Sequence, residues 1–159
     1  MSAESPGRRS VRVATGDDAD AVARMLDAFN REFDEPTPGV AFLTGRVGEL
    51  IGAGEITVLL AGEEPHGLAV MYTRPSLWEP APDAYLAELY VAPEHRGRGS
   101  GRALLESTMQ AARRAGATHI ELITAVTDTA ARGLYESSGF TNRDKDGAGD
   151  QLLYYEREL

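Results

Sequence analysis

Residues 86–102 read Leu86-Ala-Glu-Leu-Tyr-Val-Ala-Pro-Glu-His-Arg-Gly-Arg-Gly-Ser-Gly-Arg102, and this is the most informative stretch of the chain. It begins inside an apolar strand, which we predict over Asp83 to Val91. A turn with three glycines follows and leads directly into a helix predicted from about Gly99 to Ala115. Glycine lets backbone N–H groups converge without obstruction by a side chain, and the start of a helix adds its dipole. The stretch therefore predicts a cradle for a phosphate or diphosphate.

Three arginines surround this glycine-rich turn. Arg96, Arg98 and Arg102 lie close together in a chain with 16 Lys and Arg residues, 25 Asp and Glu residues and a formal charge of -9. Their concentration favours an anionic ligand, although a solvated loop is the alternative. The acidic chain as a whole repels phosphate backbones and anionic headgroups. We therefore expect neither nucleic acid nor a membrane surface as a partner.

Three patterns of nucleotide-binding loop can be compared with this turn. A Walker loop needs Gly-Lys-Ser/Thr, and the only lysine of the chain is Lys145. A dinucleotide-binding fingerprint needs Gly-x-Gly-x-x-Gly, whereas the spacing here is Gly97-Arg-Gly99-Ser-Gly101. The third pattern, Arg-x-x-Gly-x-Gly, is matched by Arg96, Gly99 and Gly101.

A second motif lies further along the chain. The run Ala131-Arg-Gly-Leu-Tyr-Glu-Ser-Ser-Gly-Phe140 fits Ala-x-x-Leu-Tyr-x-x-x-Gly-Phe. Together with Leu89-Tyr-Val-Ala-Pro93 and the Arg-x-x-Gly-x-Gly pattern, it resembles the GNAT superfamily of N-acetyltransferases, over roughly Val11 to Glu156. The resemblance implies an α/β (α+β) fold with a mixed, mostly antiparallel sheet of six to seven strands flanked by about four helices. It also implies acetyl-CoA as cosubstrate. No metal is expected, because the chain has no cysteine and its histidines lack the spacing of a zinc site.

The resemblance assigns the coenzyme to two adjoining segments. The end of the strand would lie beside the pantetheine arm, and the glycine-rich turn would bind the diphosphate. The predicted coenzyme-binding residues are Leu89, Tyr90, Val91, Arg96, Gly97, Arg98, Gly99, Ser100, Gly101 and Arg102.

Two residues are predicted to be catalytic. Tyr135 matches the tyrosine that the family uses as general acid toward the departing thiolate; a packed aromatic is the alternative. Glu88 is a carboxylate inside an apolar strand, which is costly without a cation or a functional need. It is either a base or ammonium ligand for the amine, or one half of a structural salt bridge. One position departs from the family, because Asp128 stands where an asparagine often contacts the cofactor.

The rest of the chain supplies the framework. Val11–Ala14, Glu55–Ala61, Gly67–Tyr72 and His119–Thr124 are predicted strands, and a last strand pair is predicted at Phe140–Arg143 and Gln151–Glu156. Helical spacing follows Thr15–Asp18, recurs over Phe42–Ile51 and returns at Thr127–Ser138. The three histidines, His66, His95 and His119, lack the spacing of a zinc site and are interpreted as surface or incidental.

Length and composition limit the class of protein. A chain of 159 residues suggests one domain, predicted over residues 10–159, with 1–9 as a flexible tail. The absence of cysteine excludes disulfides and a thiolate nucleophile. No apolar run is long enough for a membrane span, and residues 1–10 lack the apolar core of a signal peptide. We expect a cytoplasmic protein, with a homodimer as an analogy to relatives.

These observations predict an N-acetyltransferase. It would move an acetyl group from acetyl-CoA to a primary amine by direct attack in a ternary complex. Net acidity favours a cationic small-molecule acceptor, such as a polyamine or an aminoglycoside. The alternatives are an acyl-CoA-binding sensor without turnover, acetylation of protein N-termini or lysines, and a phosphate-binding module for another nucleotide.

Overall fold

The structure is a computed structural model, and it describes residues 10–159. The predicted tail at 1–9 lies outside the described residues. The backbone divides into two compact units, one ending at Leu122 and the other spanning Ile123–Leu159. A single domain over 10–159 stays a prediction.

The first unit contains one five-stranded sheet in the order β1-β2-β3-β4-β5. Its strands are β1 (Val11–Val13), β2 (Thr57–Ala61), β3 (Gly67–Arg74), β4 (Asp83–Val91) and β5 (His119–Leu122). The first four strands pair antiparallel, and β5 pairs parallel with β4. The parallel pair follows from its connection, since a helix must carry the chain back to the end where β4 began.

Among the described residues, three α-helices belong to the first unit and one to the second. They are α1 (Ala19–Glu32), α2 (Val40–Gly52), α3 (Ser100–Arg114) and α4 (Thr129–Ser137). The mixed fold with a mostly antiparallel sheet and four helices confirms the predicted fold class.

The two faces of the sheet carry different helices. One face packs against α1 and α2, where Leu68, Val70 and Tyr90 of the sheet join Val22 of α1 and Val47 of α2 in one buried cluster. The other face carries α3. A Cβ at Gly67 would lie 3.1 Å from the Leu104 side chain of α3, so glycine is needed for this close approach.

A β-bulge in β4 changes which face its side chains occupy. Met71 of β3 is opposite Leu86, but the preceding Val70 is opposite Glu88, so Ala87 is an extra residue in β4. Residues directly opposite each other share a face, so Glu88 lies on the same face as Val70. That is the face covered by α1 and α2. The bulge thus moves the even-numbered positions of β4 from the α3 face to the α1/α2 face.

The second unit corrects the predicted number of strands. The sheet of the described residues has five strands and not six to seven. At the predicted last pair, the only pairing among residues 10–159 is an isolated antiparallel bridge between Arg143 and Gln151. The turn between them is closed by its own backbone, with Asp144 N–H donating to the Asp150 carbonyl over 3.0 Å. Beyond it the apolar side chains of 152–155 are exposed and do not alternate, so the pattern of a strand with one buried face is missing.

Candidate functional site

The outer edge of β4 is only half paired. The parallel pairing with β5 runs from Asp83 to Leu86 and ends there, so no described strand pairs with Ala87–Val91 on that side. The opening begins at the bulge. An extended chain bearing amide groups can bind such an edge through main-chain hydrogen bonds. This is where the sequence places the pantetheine arm, beside Leu89 and Val91.

Tyr90 takes part in the core rather than in the opening. Its side chain is buried and its ring stacks on Phe29 of α1, with ring centroids 5.1 Å apart. Burial is the main cause that raises the pKa of its phenol. Of the predicted contact residues in β4, Tyr90 can therefore offer a coenzyme only its backbone.

The glycine-rich turn continues directly from this edge; residues 92–100 are called the glycine loop below. Gly97 and Gly99 have φ values of 71° and 88°, which residues with a side chain rarely adopt. A Cβ added at either position would meet nothing within 4 Å. Open space therefore faces the backbone at both positions. Gly99 is the N-cap of α3 and has no side chain, so the N-cap residue itself does not occupy the N–H groups of the first turn.

All three nitrogens of the Arg96 guanidinium group donate hydrogen bonds within the protein. Two nitrogens donate to the two carboxylate oxygens of Glu32, each over 2.7 Å, and Nε donates to the Val91 carbonyl over 2.8 Å. The guanidinium group also lies 5.7 Å from the centroid of the Tyr90 ring. The hydrogen bonds from Arg96 lower the pKa of the Glu32 carboxyl. The expected contact of Arg96 with a diphosphate stays a prediction. Arg98 lies in the loop and Arg102 in the first turn of α3, and both are exposed.

Glu88 has no such partner. No ion pair or hydrogen bond to its carboxylate is formed by residues 10–159, so the structural salt bridge considered from sequence has no counterpart there. The side chain is half-buried on the face shared with Val70 and Tyr90, and burial raises the pKa of its carboxyl. A carboxyl with a raised pKa and no partner is suited to exchanging a proton.

His66 is a residue that the sequence analysis missed. It lies in the turn between β2 and β3, where its Nε2 is 3.1 Å from the Ser100 hydroxyl and its ring stacks on His95 with centroids 4.2 Å apart. No pattern in the sequence marks these contacts, which follow from the register of β3 with β4. Because β3 runs antiparallel to β4, the residue before Gly67 must lie beside the residue after Val91.

Tyr135 lies in the second unit, on α4. Its side chain is buried, and its ring is 5.9 Å from the ring of Phe140. Burial, with a smaller contribution from the charge of Asp128, raises the pKa of Tyr135 to about 12. The phenol therefore keeps its proton at neutral pH and can act as a hydrogen-bond donor.

Asp128 has a local role in the same unit. It is the N-cap of α4, and its carboxylate accepts a hydrogen bond from the Ala131 N–H over 3.0 Å. An N-cap carboxylate satisfies a free N–H group and interacts favourably with the helix dipole. Capping α4 therefore gives Asp128 a structural role that needs no contact with a cofactor.

Two further features concern metal ions and membranes. Within residues 10–159, no three His, Asp or Glu side chains come together in a group that could hold a metal ion. No helix of that part of the chain combines the length and apolar character needed to cross a membrane.

The comparison with family models decides the identity. Residues 18–140 match the model of the acetyltransferase (GNAT) family, which is most of the chain. The chain belongs to the GNAT acetyltransferase family. The match includes both motifs quoted from the sequence, and it makes the protein an acyltransferase.

Known GNAT proteins and structures resemble the chain to different extents. It is 45% identical to a candidate acetyltransferase from Arthrobacter sp. FB24, whose crystal structure has a TM-score of 0.89 over 98% of this chain and 99% of that one. It is 42% identical to the mycothiol acetyltransferase of Beutenbergia cavernae, but over only 42% of this chain and 23% of that protein. An aminoglycoside acetyltransferase from an uncultured soil metagenomic sample shares the fold, with a TM-score of 0.77 at 19% identity, over 94% of this chain and 95% of that one.

The GNAT family uses acetyl-CoA, and the first unit fits the polar part of such a ligand. The glycine loop offers open space where side chains would otherwise fill the cradle, and α3 begins there without a capping side chain. Arg98 and Arg102 add positive charge on the exposed side of the loop. These features suit a diphosphate, because backbone N–H groups and a helix N-terminus bind anions.

Proposed function

We propose that this protein transfers the acetyl group of acetyl-CoA to a primary amine of a cationic small molecule, by direct attack in a ternary complex. One observation carries the proposal. In the first unit, the unpaired edge of β4 runs directly into the open glycine loop, and the unpartnered Glu88 lies on the strand between the bulge and that loop. The same strand can therefore serve the thioester arm through its backbone and the amine through a side chain.

Glu88 prepares the amine in this proposal. A primary amine is protonated at neutral pH and cannot attack until it loses a proton. The carboxylate takes that proton, directly or through water, and the nitrogen lone pair then forms the new bond to the carbonyl carbon. The raised pKa of Glu88 makes its carboxylate a stronger base than an exposed glutamate.

Tyr135 supplies the proton at the other end of the reaction. As the C–S bond breaks, the thiolate takes the phenol proton. The new amide nitrogen releases its second proton to solvent, and the phenolate takes one back from solvent. The Tyr135 phenol is protonated at neutral pH because burial raises its pKa. Replacing Tyr135 by Phe removes only the hydroxyl group. We expect kcat to fall about 100-fold, the lower end of the range for general acids, while the Kd of coenzyme A stays within about twofold of wild type.

The choice of a cationic acceptor rests on charge. With a formal charge of -9, the chain attracts polyamines and aminoglycosides and repels nucleic acid. Glu88 adds a carboxylate with no partner among the described residues at the proposed site. A relative of the same fold is described as an aminoglycoside acetyltransferase in complex with sisomicin, which is compatible with this class of acceptor.

A thiol-release assay with acetyl-CoA tests the proposal against four panels: polyamines, aminoglycosides, amino acids and peptides. We expect turnover with a polyamine or an aminoglycoside. Turnover confined to peptides would instead show acetylation of protein N-termini or lysines. Binding of coenzyme A without turnover on any panel would show an acyl-CoA sensor.

A thermal-shift measurement tests the coenzyme separately from the acceptor. A ligand that binds only the folded state raises the melting temperature. Coenzyme A is expected to raise it, and ATP and NAD at the same concentration are expected to do so much less. An equal shift with ATP would contradict a coenzyme A site and favour another nucleotide.

A further inference from the structure

His66 contacts the glycine loop at three points. Its backbone carbonyl accepts a hydrogen bond from the Ala92 N–H over 2.8 Å, its ring stacks on His95 with centroids 4.2 Å apart, and its Nε2 lies 3.1 Å from the Ser100 hydroxyl. Ala92 and Ser100 are the two ends of the loop. His66, which is far from the loop in sequence, therefore contacts both ends of the loop and His95 between them.

The ring of His66 is itself held in place by its turn. The His66 N–H donates to the Ala61 carbonyl over 3.0 Å, which closes the turn between β2 and β3. The ring occupies the space beside Gly62, where a Cβ would lie 2.5 Å from Nδ1. Because Gly62 also has a φ of 92°, any side chain there would be strained and would displace the ring.

The contact with Ser100 reaches the residue where α3 begins. Ser100 is 1% exposed, and it is the first residue of the helix whose N-terminus faces the proposed diphosphate. In contrast, Gly97, Arg98 and Gly99 between the two anchored ends are exposed. An exposed loop with two glycines would otherwise have many conformations, and binding would have to select one of them.

We propose that His66 is a positioning residue for the coenzyme: it fixes the glycine loop in its binding conformation before the diphosphate arrives. This inference rests on the proposed function, because it assumes that the loop binds the diphosphate of acetyl-CoA. His66 touches no reacting atom. Its effect is expected on the affinity for coenzymes that carry the diphosphate, and not on the acetyl transfer itself.

The test compares two acetyl donors with the same thioester arm. Acetyl-CoA carries the diphosphate, and acetyl-pantetheine lacks it. For His66→Ala we expect the KM of acetyl-CoA and the Kd of coenzyme A from calorimetry to rise about tenfold or more, with kcat within about twofold of wild type. With acetyl-pantetheine, kcat/KM should stay within about twofold. A loss that is equal for both donors would overturn the proposal, because a general defect in folding does not distinguish them.

Two variants sharpen the test. His66→Gln retains an amide group near the position of Nε2 and should restore most of the affinity for coenzyme A. His119→Ala removes an exposed histidine of β5 and should leave the Kd of coenzyme A unchanged. If His66→Gln binds coenzyme A as poorly as His66→Ala, the contact with Ser100 is not what matters, and the proposal is wrong.

The remaining outcomes are also decisive. If His66→Ala does not fold, Ser100→Ala removes the hydroxyl partner alone, and a Kd for coenzyme A within about twofold of wild type would overturn the proposal. If wild type binds coenzyme A and His66→Ala binds it equally well, the proposed function stands and this inference fails. If wild type does not bind coenzyme A, the proposed function itself fails.

Discussion

The glycine loop and the strand that leads into it differ in how their charged side chains are held. In the loop, Arg96 forms two hydrogen bonds of 2.7 Å with Glu32. In the strand, Glu88 is half-buried and has no ion-pair partner among residues 10–159. The pKa of Glu32 is lowered by its partner, and the pKa of Glu88 is raised by burial.

This difference gives the two carboxylates different roles, one in structure and one in the reaction. A carboxylate that is paired with a guanidinium group holds two elements together and keeps its charge over the working pH range. A carboxylate that is buried without a partner costs stability while it is charged, and it accepts a proton more readily. We therefore expect Glu32 to act on structure and coenzyme binding, and Glu88 to act on turnover.

The largest expected effect is at Glu88. Glu88→Gln keeps the size of the side chain but cannot take a proton from the amine, so we expect kcat to fall about 10²–10⁴-fold, the usual contribution of a general base. The thiol-release assay measures this loss. A rise in the KM of the amine with unchanged kcat would show instead that Glu88 binds the ammonium group. Turnover within about fivefold of wild type together with an unchanged KM of the amine would remove Glu88 from the site.

The sequence could predict the elements that local patterns determine. The bounds of β4 were predicted correctly, because an apolar run lies between Pro82 and Pro93. The bulge was not predictable, since nothing in the sequence of β4 marks one of its residues as having no partner in β3. Only the pairing of Val70 with Glu88, and of Met71 with Leu86, shows the extra residue that decides which face Glu88 occupies.

The candidate site also has one part that the sequence could predict and one part that it could not. The glycine loop is contiguous in sequence, and its pattern could be recognised. The contacts that support it join residues far apart: Glu32 and Arg96 are separated by 64 positions, and His66 and Ser100 by 34. Such pairs leave no periodic signal in one sequence, so His66 was interpreted as incidental. They depend on the register of the sheet and on the packing of α1.

A second prediction compares two glycines with the same φ angle. Gly99 in the loop and Gly116 after α3 both have a φ of 88°, and a Cβ added at either position would lie no closer than 3.9 Å to another residue. Substitution by Ala should cost each about 1–2 kcal/mol of stability, the usual cost of a left-handed residue with a Cβ. Only Gly99→Ala should also weaken coenzyme A binding, about tenfold or more, as measured by calorimetry.

The Gly116→Ala variant is the matched control for this experiment. Equal losses of melting temperature with unequal losses of affinity would separate the binding role of Gly99 from its role in the turn. If both variants bind coenzyme A like wild type, the open space in front of Gly99 is not where the diphosphate lies.

A third prediction concerns the ion pair of the loop. Glu32→Gln leaves Arg96 without its charged partner, and we expect the Kd of coenzyme A to rise about threefold, with kcat unchanged. The effect is small because exposed ion pairs contribute about 0–1 kcal/mol. Tighter binding would contradict the prediction and show that Arg96 exchanges Glu32 for the diphosphate. A double-mutant cycle with Arg96→Gln measures the coupling between the two side chains.

The smallest expected effect is on stability as a function of pH, and there the two carboxylates should differ in sign. The pKa of Glu88 is raised in the folded state, so its stabilising contribution is present below the unfolded pKa and is lost as the pH rises through the folded pKa. Glu88→Gln should therefore match wild type in acid and melt higher at neutral pH, by about 1–2 °C.

The pKa of Glu32 is lowered, so its contribution is present above the unfolded pKa and is lost as the pH falls. Glu32→Gln should melt lower than wild type at neutral pH, and the difference should vanish in acid. Melting curves of the three proteins between about pH 4 and pH 8 measure both differences, and two differences of the same sign would show that Glu88 is held by the fold in the same way as Glu32.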